Sequence, residues 1–128
     1  MGYYFSRRMK TSFEDAVKRI TDALKKEEFG IITEIDVQDV LKKKLGVDFR
    51  RYRILGTCNP RYAYQALQAE DKIGTMLPCS VIVQEFGPED VEIAAIDPIS
   101  SMQAVGNPAL GELASLVQSR LKKAVESA

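Results

Sequence analysis

The stretch Cys79-Ser80-Val81-Ile82-Val83-Gln84-Glu85-Phe86, followed by Gly87-Pro88-Glu89-Asp90 and then Val91-Glu92-Ile93-Ala94-Ala95-Ile96-Asp97, decides the fold class. Two runs rich in branched apolar residues flank four turn-forming ones. That is the pattern of a β-hairpin, whose strands are antiparallel. Beyond it, Pro98 ends the second strand and residues 99–105 read as a short helix. Asn107-Pro108 offers a helix start, because asparagine caps the first turn and proline needs no amide there. Leu110, Leu113, Ala114, Val117, Leu121 and Val125 then fall on one face of a long amphipathic helix.

Upstream of the hairpin, Asn59-Pro60 repeats the same helix start, predicting a helix over 60–69. A strand is expected over 49–55, broken by Gly56 to Pro60. Residues 31–35 read as another strand. Asp36 caps a further helix whose Val37, Val40, Leu41 and Leu45 are expected to face inward, with Gly46 closing it. At the start, Tyr3 to Met9 is strand-like. Thr11 and Ser12 with Glu14 and Asp15 make two overlapping capping boxes. Phe13, Ala16, Val17, Ile20 and Leu24 follow at helical spacing, and Gly30 is expected to supply the helix exit. The order is β-α-β-α-β-α-β-β-α-α. It predicts an α+β fold, a mostly antiparallel sheet with the long helices packed on one face. No repeat or linker divides residues 1–128, which read as one domain.

The chain holds 128 residues, the size of one domain, and needs no disulfide or metal for stability. Lys plus Arg and Asp plus Glu both number 18, so the formal net charge is zero. A dedicated nucleic-acid binder usually carries a basic excess, whereas two copies of a neutral chain do not repel each other. No apolar run is long enough to span a membrane or form a signal peptide, and the two cysteines read as reduced thiols of the cytoplasm. There is no histidine. That removes Ser-His-Asp and Cys-His chemistry and any imidazole metal ligand; two thiols alone do not complete a usual zinc site.

Chemistry is therefore sought first at Cys58 and Cys79. If their strands are antiparallel neighbours, the end of one meets the start of the other and both sulfurs reach one sheet edge. Cys58 also precedes a helix start, where free amides favour a thiolate or an anionic ligand. Both cysteines also read as small buried packing residues, the usual fate of a free cysteine. Tyr62 and Tyr64, beside Arg61, are expected to line a pocket above this loop, with Arg53 nearby. The candidate ligand-binding set is thus Arg53, Cys58, Asn59, Pro60, Tyr62, Tyr64 and Cys79. The first reading is a binding module for a small, possibly anionic ligand; the alternative is a thiol-based redox or sensor protein using Cys58 and Cys79. A third is an interaction protein pairing through its sheet edge or last helix. The basic stretch from Lys42 to Arg53 holds six cations against Asp48, with Phe49 and Tyr52 interleaved. It reads as a solvated face or an anion patch. Glu34 and Asp36 read as a strand residue and a helix cap rather than an acid–base pair. No phosphate-binding loop, dinucleotide fingerprint or nucleophile elbow occurs.

The segments Tyr52-Arg53-Ile54-Leu55-Gly56-Thr57-Cys58-Asn59-Pro60, Ala63-Tyr64-Gln65-Ala66-Leu67 and Leu77-Pro78-Cys79 together resemble the bacterial and archaeal domain-of-unknown-function 302 family. So do Phe13-Glu14-Asp15-Ala16-Val17, the stretch from Gly30 to Asp36, and Ala95-Ile96-Asp97-Pro98. The resemblance implies a two-layer α+β fold like that of TATA-binding-protein-type domains, with helices on a curved antiparallel sheet. It also implies homodimers. It implies no reaction and no cofactor, and a shared fold with a DNA-binding protein carries no DNA-binding claim.

Overall fold

A computed structural model describes residues 2–128. Strand β1 (Tyr4–Met9) leads through helix α1 (Phe13–Lys26), β2 (Gly30–Asp36) and α2 (Val37–Leu45) to β3 (Tyr52–Cys58). Helix α3 (Pro60–Ala69) and a 3-10 turn (Ile73–Met76) precede the hairpin of β4 (Cys79–Gly87) and β5 (Asp90–Ile96). Helix α4 (Pro98–Gln103), a second 3-10 turn (Pro108–Leu110) and α5 (Gly111–Ser127) follow. The five strands form one open sheet in the order β1-β5-β4-β3-β2, with every neighbouring pair antiparallel. The fold is α+β, in the element order read from the sequence.

Strand alternation sorts the sheet into two faces. Leu55, Val81, Val83, Val91, Ile93 and Ala95 are buried on one. Against them α1 sets Phe13, Ala16, Ile20, Ala23 and Leu24, and α5 sets Val117, Leu121, Ala124 and Val125, all in a single core cluster. Each fully buried leucine, isoleucine or phenylalanine contributes about 1.5–3 kcal/mol. On the opposite face the register aligns Ser6, Ala94, Ile82, Ile54 and Ile35 in one cross-strand row. Tyr4, Tyr52, Gln84 and Glu92 join Ile82 and Ala94 around a shallow depression there.

Helix ends follow local chemistry. Ser12 caps α1 by accepting the Asp15 amide, and Asp36 caps α2 by accepting that of Asp39. Asp97 caps α4 through the Ile99 amide and also receives Gln118 Nε2 at 3.0 Å, tying α5 to the cap. Arg7 Nη1 donates to the carbonyls of Glu126 (3.1 Å) and Ala128 (2.6 Å), where α5 would otherwise leave acceptors free.

Four expectations are corrected. Gly30 does not end α1; Glu28 takes the left-handed turn at φ 67°, which drives Phe29 into the core and starts β2 at Gly30. Gly56 does not break β3, which runs from Tyr52 to Cys58 between two partner strands. Helix α2 buries none of its residues, and Val40 and Leu45 remain exposed. Asn107 caps the second 3-10 turn rather than α5 itself, which begins at Gly111.

Candidate functional site

Antiparallel pairing of β3 with β4 sets Thr57 opposite Cys79. The end of β3, the start of β4 and the entry to α3 therefore meet at one sheet edge. A cavity of about 320 Å³ opens there. Its floor is Phe29, Thr57, Cys58 and Cys79; α3 contributes Tyr62, Ala63 and Ala66, and α5 contributes Leu113, Ala114 and Val117. Leu77, Pro78, Pro98, Met102 and Leu110 close the remaining sides, with Ile32 and Leu67 also on the lining. None of the lining residues carries a charge. The walls draw on two hydrophobic clusters. Phe29 and Val117 belong to the main core, while Ala66 and Leu110 form a satellite cluster with Ile73.

Asn59, 5% exposed, organises the rim. Its Oδ1 accepts the Tyr62 amide at 3.4 Å, and its carbonyl accepts the Ala63 amide at 2.9 Å. Pro60 has no amide to offer. These bonds leave only the Arg61 amide of the first turn for a ligand, so the helix start is a poor anion site. Thr57 Oγ1 donates to the Cys79 carbonyl at 3.0 Å, which satisfies a hydroxyl that is otherwise fully buried.

Cys58 and Cys79 are both free thiols lining the cavity. Burial, and secondarily the charge of the neighbouring Cys58, push the Cys79 thiol up to about 11. It therefore stays protonated at neutral pH, the opposite of an activated nucleophile.

Of the sequence-predicted site residues, Cys58, Asn59, Tyr62 and Cys79 share the cavity. Pro60 supplies the first residue of α3 next to it. Arg53 does not reach it: five residues of extended chain, about 17 Å, separate it from Cys58. Its guanidinium lies instead 3.4 Å from Glu14 and 3.9 Å from Glu34, over the Phe13 ring. Tyr64 does not reach it either. Two helical positions place it roughly 200° around α3 from Tyr62, and it is 65% exposed. The anionic ligand loses its support with Arg53, since no cation faces the cavity.

The basic stretch is largely occupied within the chain. Lys42 pairs with Asp48, Lys43 with Asp39 and Arg51 with Glu14. Arg50 stacks on Phe49 and donates to Gln84. Sequence reasoning had no grounds to single out Ala63, Ala66, Met102 or Leu113 as cavity walls. Apolar residues at helical spacing signal a buried face, and a cavity wall has the same composition as a packed core.

The architecture is thus a helix-covered, open antiparallel sheet with an apolar cavity at one edge. The chain belongs to the family described as domain of unknown function DUF302, whose family model matches residues 5–128. Among solved structures it is similar to the crystal structure of an uncharacterized conserved DUF302 protein from Bacillus stearothermophilus. Identity is 27%, the match covers 97% of this chain and 96% of that one, and the TM-score is 0.89. No curated protein matches. Among the described residues, no helix is long and apolar enough to cross a membrane.

Proposed function

We propose that this chain is a binding protein whose edge cavity takes a small, neutral, largely apolar molecule. The observation that carries this reading is the cavity itself: about 320 Å³ of space between two hydrophobic clusters, with no charged residue on its walls. Ligand pockets of this kind start near 300 Å³ and are mostly apolar. An anion placed there would lose its hydration with no cation on the walls to pair with it. No carboxylate lines the space to support acid–base catalysis, and the protonated Cys79 thiol gives no support to the redox alternative. Two reduced thiols fit a reducing compartment, so we place the protein in the cytoplasm.

The test is an NMR titration of ¹⁵N-labelled protein with toluene and, separately, with benzoate at neutral pH. Toluene is expected to shift the amides of Ala63, Ala66, Leu113 and Ala114, and benzoate to leave them unmoved. Benzoate binding without toluene binding would restore the anionic reading. Silence from both would sink the cavity reading.

The exposed sheet face supports a homodimer. Its centre is the half-buried Ile82 and Ile54 and the exposed Ile35, beside the buried Ala94, and several of its polar groups are paired within the chain. Arg8 pairs with Asp90 at 2.6 Å, Arg50 donates to Gln84, and Gln84 donates to Glu92. A second copy of a chain with zero net charge meets an apolar centre with a neutralised rim.

A further inference from the structure

We infer that the molecule taken by the edge cavity carries an oxygen acceptor of the ketone, ester or ether type, and that Asn59 Nδ2 is the donor that reads it. This rests on the cavity reading and names the class of ligand within it.

One carboxamide in the rim has a fixed orientation. Asn59 Oδ1 accepts the Tyr62 amide, and only the oxygen of a carboxamide accepts. The other terminal atom is therefore the NH2 group. It has no hydrogen-bond partner among the described residues, although Asn59 is 5% exposed. No fully buried side-chain nitrogen or oxygen lacks a partner among those residues, so Nδ2 must open onto accessible space. The space that Asn59 lines is the cavity.

The protein itself offers little to meet that donor. The lining holds no carboxylate and no second carboxamide, neither the Thr57 nor the Tyr62 hydroxyl receives a bond from Nδ2, and thiols are weak acceptors. Helix capping does not explain the residue either. Aspartate or serine would accept the Tyr62 amide as well as asparagine does; asparagine alone of the three adds two N–H donors. An apolar chamber with one unspent donor at its rim discriminates between molecules of the same shape. It favours the one that presents an acceptor, because the hydrocarbon leaves the donor unmatched.

The experiment uses a shape-matched pair, acetophenone and α-methylstyrene, in which the carbonyl oxygen is replaced by a methylene. Dissociation constants come from NMR titration of the wild type, Asn59→Asp and Asn59→Ser. The wild type is expected to hold acetophenone about five- to tenfold more tightly than α-methylstyrene. Asn59→Asp keeps an acceptor for the Tyr62 amide but turns an acceptor toward the ligand, and is expected to abolish or invert the preference. Asn59→Ser, which caps without Nδ2, serves if the aspartate variant does not fold, and is expected to bring the two constants together. Equal binding of both probes by the wild type, or an unchanged preference in both variants, overturns the role of Asn59 while leaving the cavity as a binding site. Failure of both probes to bind the wild type overturns the cavity reading and this inference with it.

Discussion

Gly56 lies directly against Pro78: a Cβ built on the glycine would stand 2.8 Å from Pro78 Cγ and closer still to Thr33 Cγ2. The glycine is therefore needed for the approach of its neighbours rather than for an unusual backbone angle. Pro78 lines the cavity, so the packing on Gly56 also fixes one wall. Gly56→Ala is expected to cost about 1–3 kcal/mol, as overpacking commonly does. A urea titration should show a lower midpoint at an unchanged slope. A midpoint equal to wild type would mean that Thr33 and Pro78 move aside freely.

Cys79 predicts a stability change at alkaline pH. Its thiol rises from 9.0 to about 11 in the folded chain, so the folded state holds the proton more tightly than the unfolded state. The stabilisation is complete below about pH 9 and is lost as pH climbs from 9 to 11, up to about 3 kcal/mol. The readout is the difference between wild type and Cys79→Ala, which isolates this thiol from every other group. That difference should shrink across the window. A constant difference would show that the thiol is not raised.

Iodoacetamide offers a second view of the same group. At pH 7.5 Cys79 should alkylate far more slowly than an unfolded cysteine, by about a hundredfold from its lower thiolate fraction alone. Peptide mapping of the labelled protein distinguishes it from Cys58. Rapid labelling of Cys79 in the native state would contradict the burial described.

Arg7 holds the end of α5 through the carbonyls of Glu126 and Ala128. Removing it leaves those acceptors to solvent and frees the last turn. Arg7→Ala is expected to cost about 1.5–3 kcal/mol, the range for hydrogen bonds that involve a charged group. Hydrogen exchange should accelerate at residues 121–127 while α1 stays protected. Uniform acceleration across the chain would instead assign Arg7 a global role.

Ala63 faces the cavity from α3. Ala63→Phe fills the space with a ring and should erase the toluene response without lowering the melting temperature by more than about 5 °C. Retained toluene binding would locate the probe elsewhere. Ile54→Lys, placed on the exposed face of the sheet, should instead leave toluene binding intact and convert a dimer to a monomer in sedimentation equilibrium. A wild type that sediments as a monomer removes the dimer proposal.

The sequence made the hairpin and the two long helices legible because each carries one clear period. Val81, Ile82 and Val83 make a branched apolar run that ends in turn residues, and Ile20 with Leu24, or Val117 with Leu121, repeat every four residues. The meeting of Cys58 and Cys79 followed from reading their strands as antiparallel neighbours. What stayed hidden depends on neighbours that are distant in sequence. Val40 and Leu45 read as part of a buried stripe, yet α2 buries none of its residues and both stay exposed. Arg53 looks close to Cys58 on paper and sits at the other end of a straight strand. The cavity was invisible because Leu113 as wall and Leu121 as core are the same residue on the same helical face.

The satellite cluster of Ala66, Ile73 and Leu110 touches the main core across a gap rather than through shared side chains. An occupant of that gap becomes structural mass, a keystone between two hydrophobic blocks. Occupied protein is more stable than empty protein by an amount that grows with the logarithm of ligand concentration. On the proposed binding reading the chain is thereby a gauge: its own resistance to unfolding and proteolysis would report how much of that molecule surrounds it.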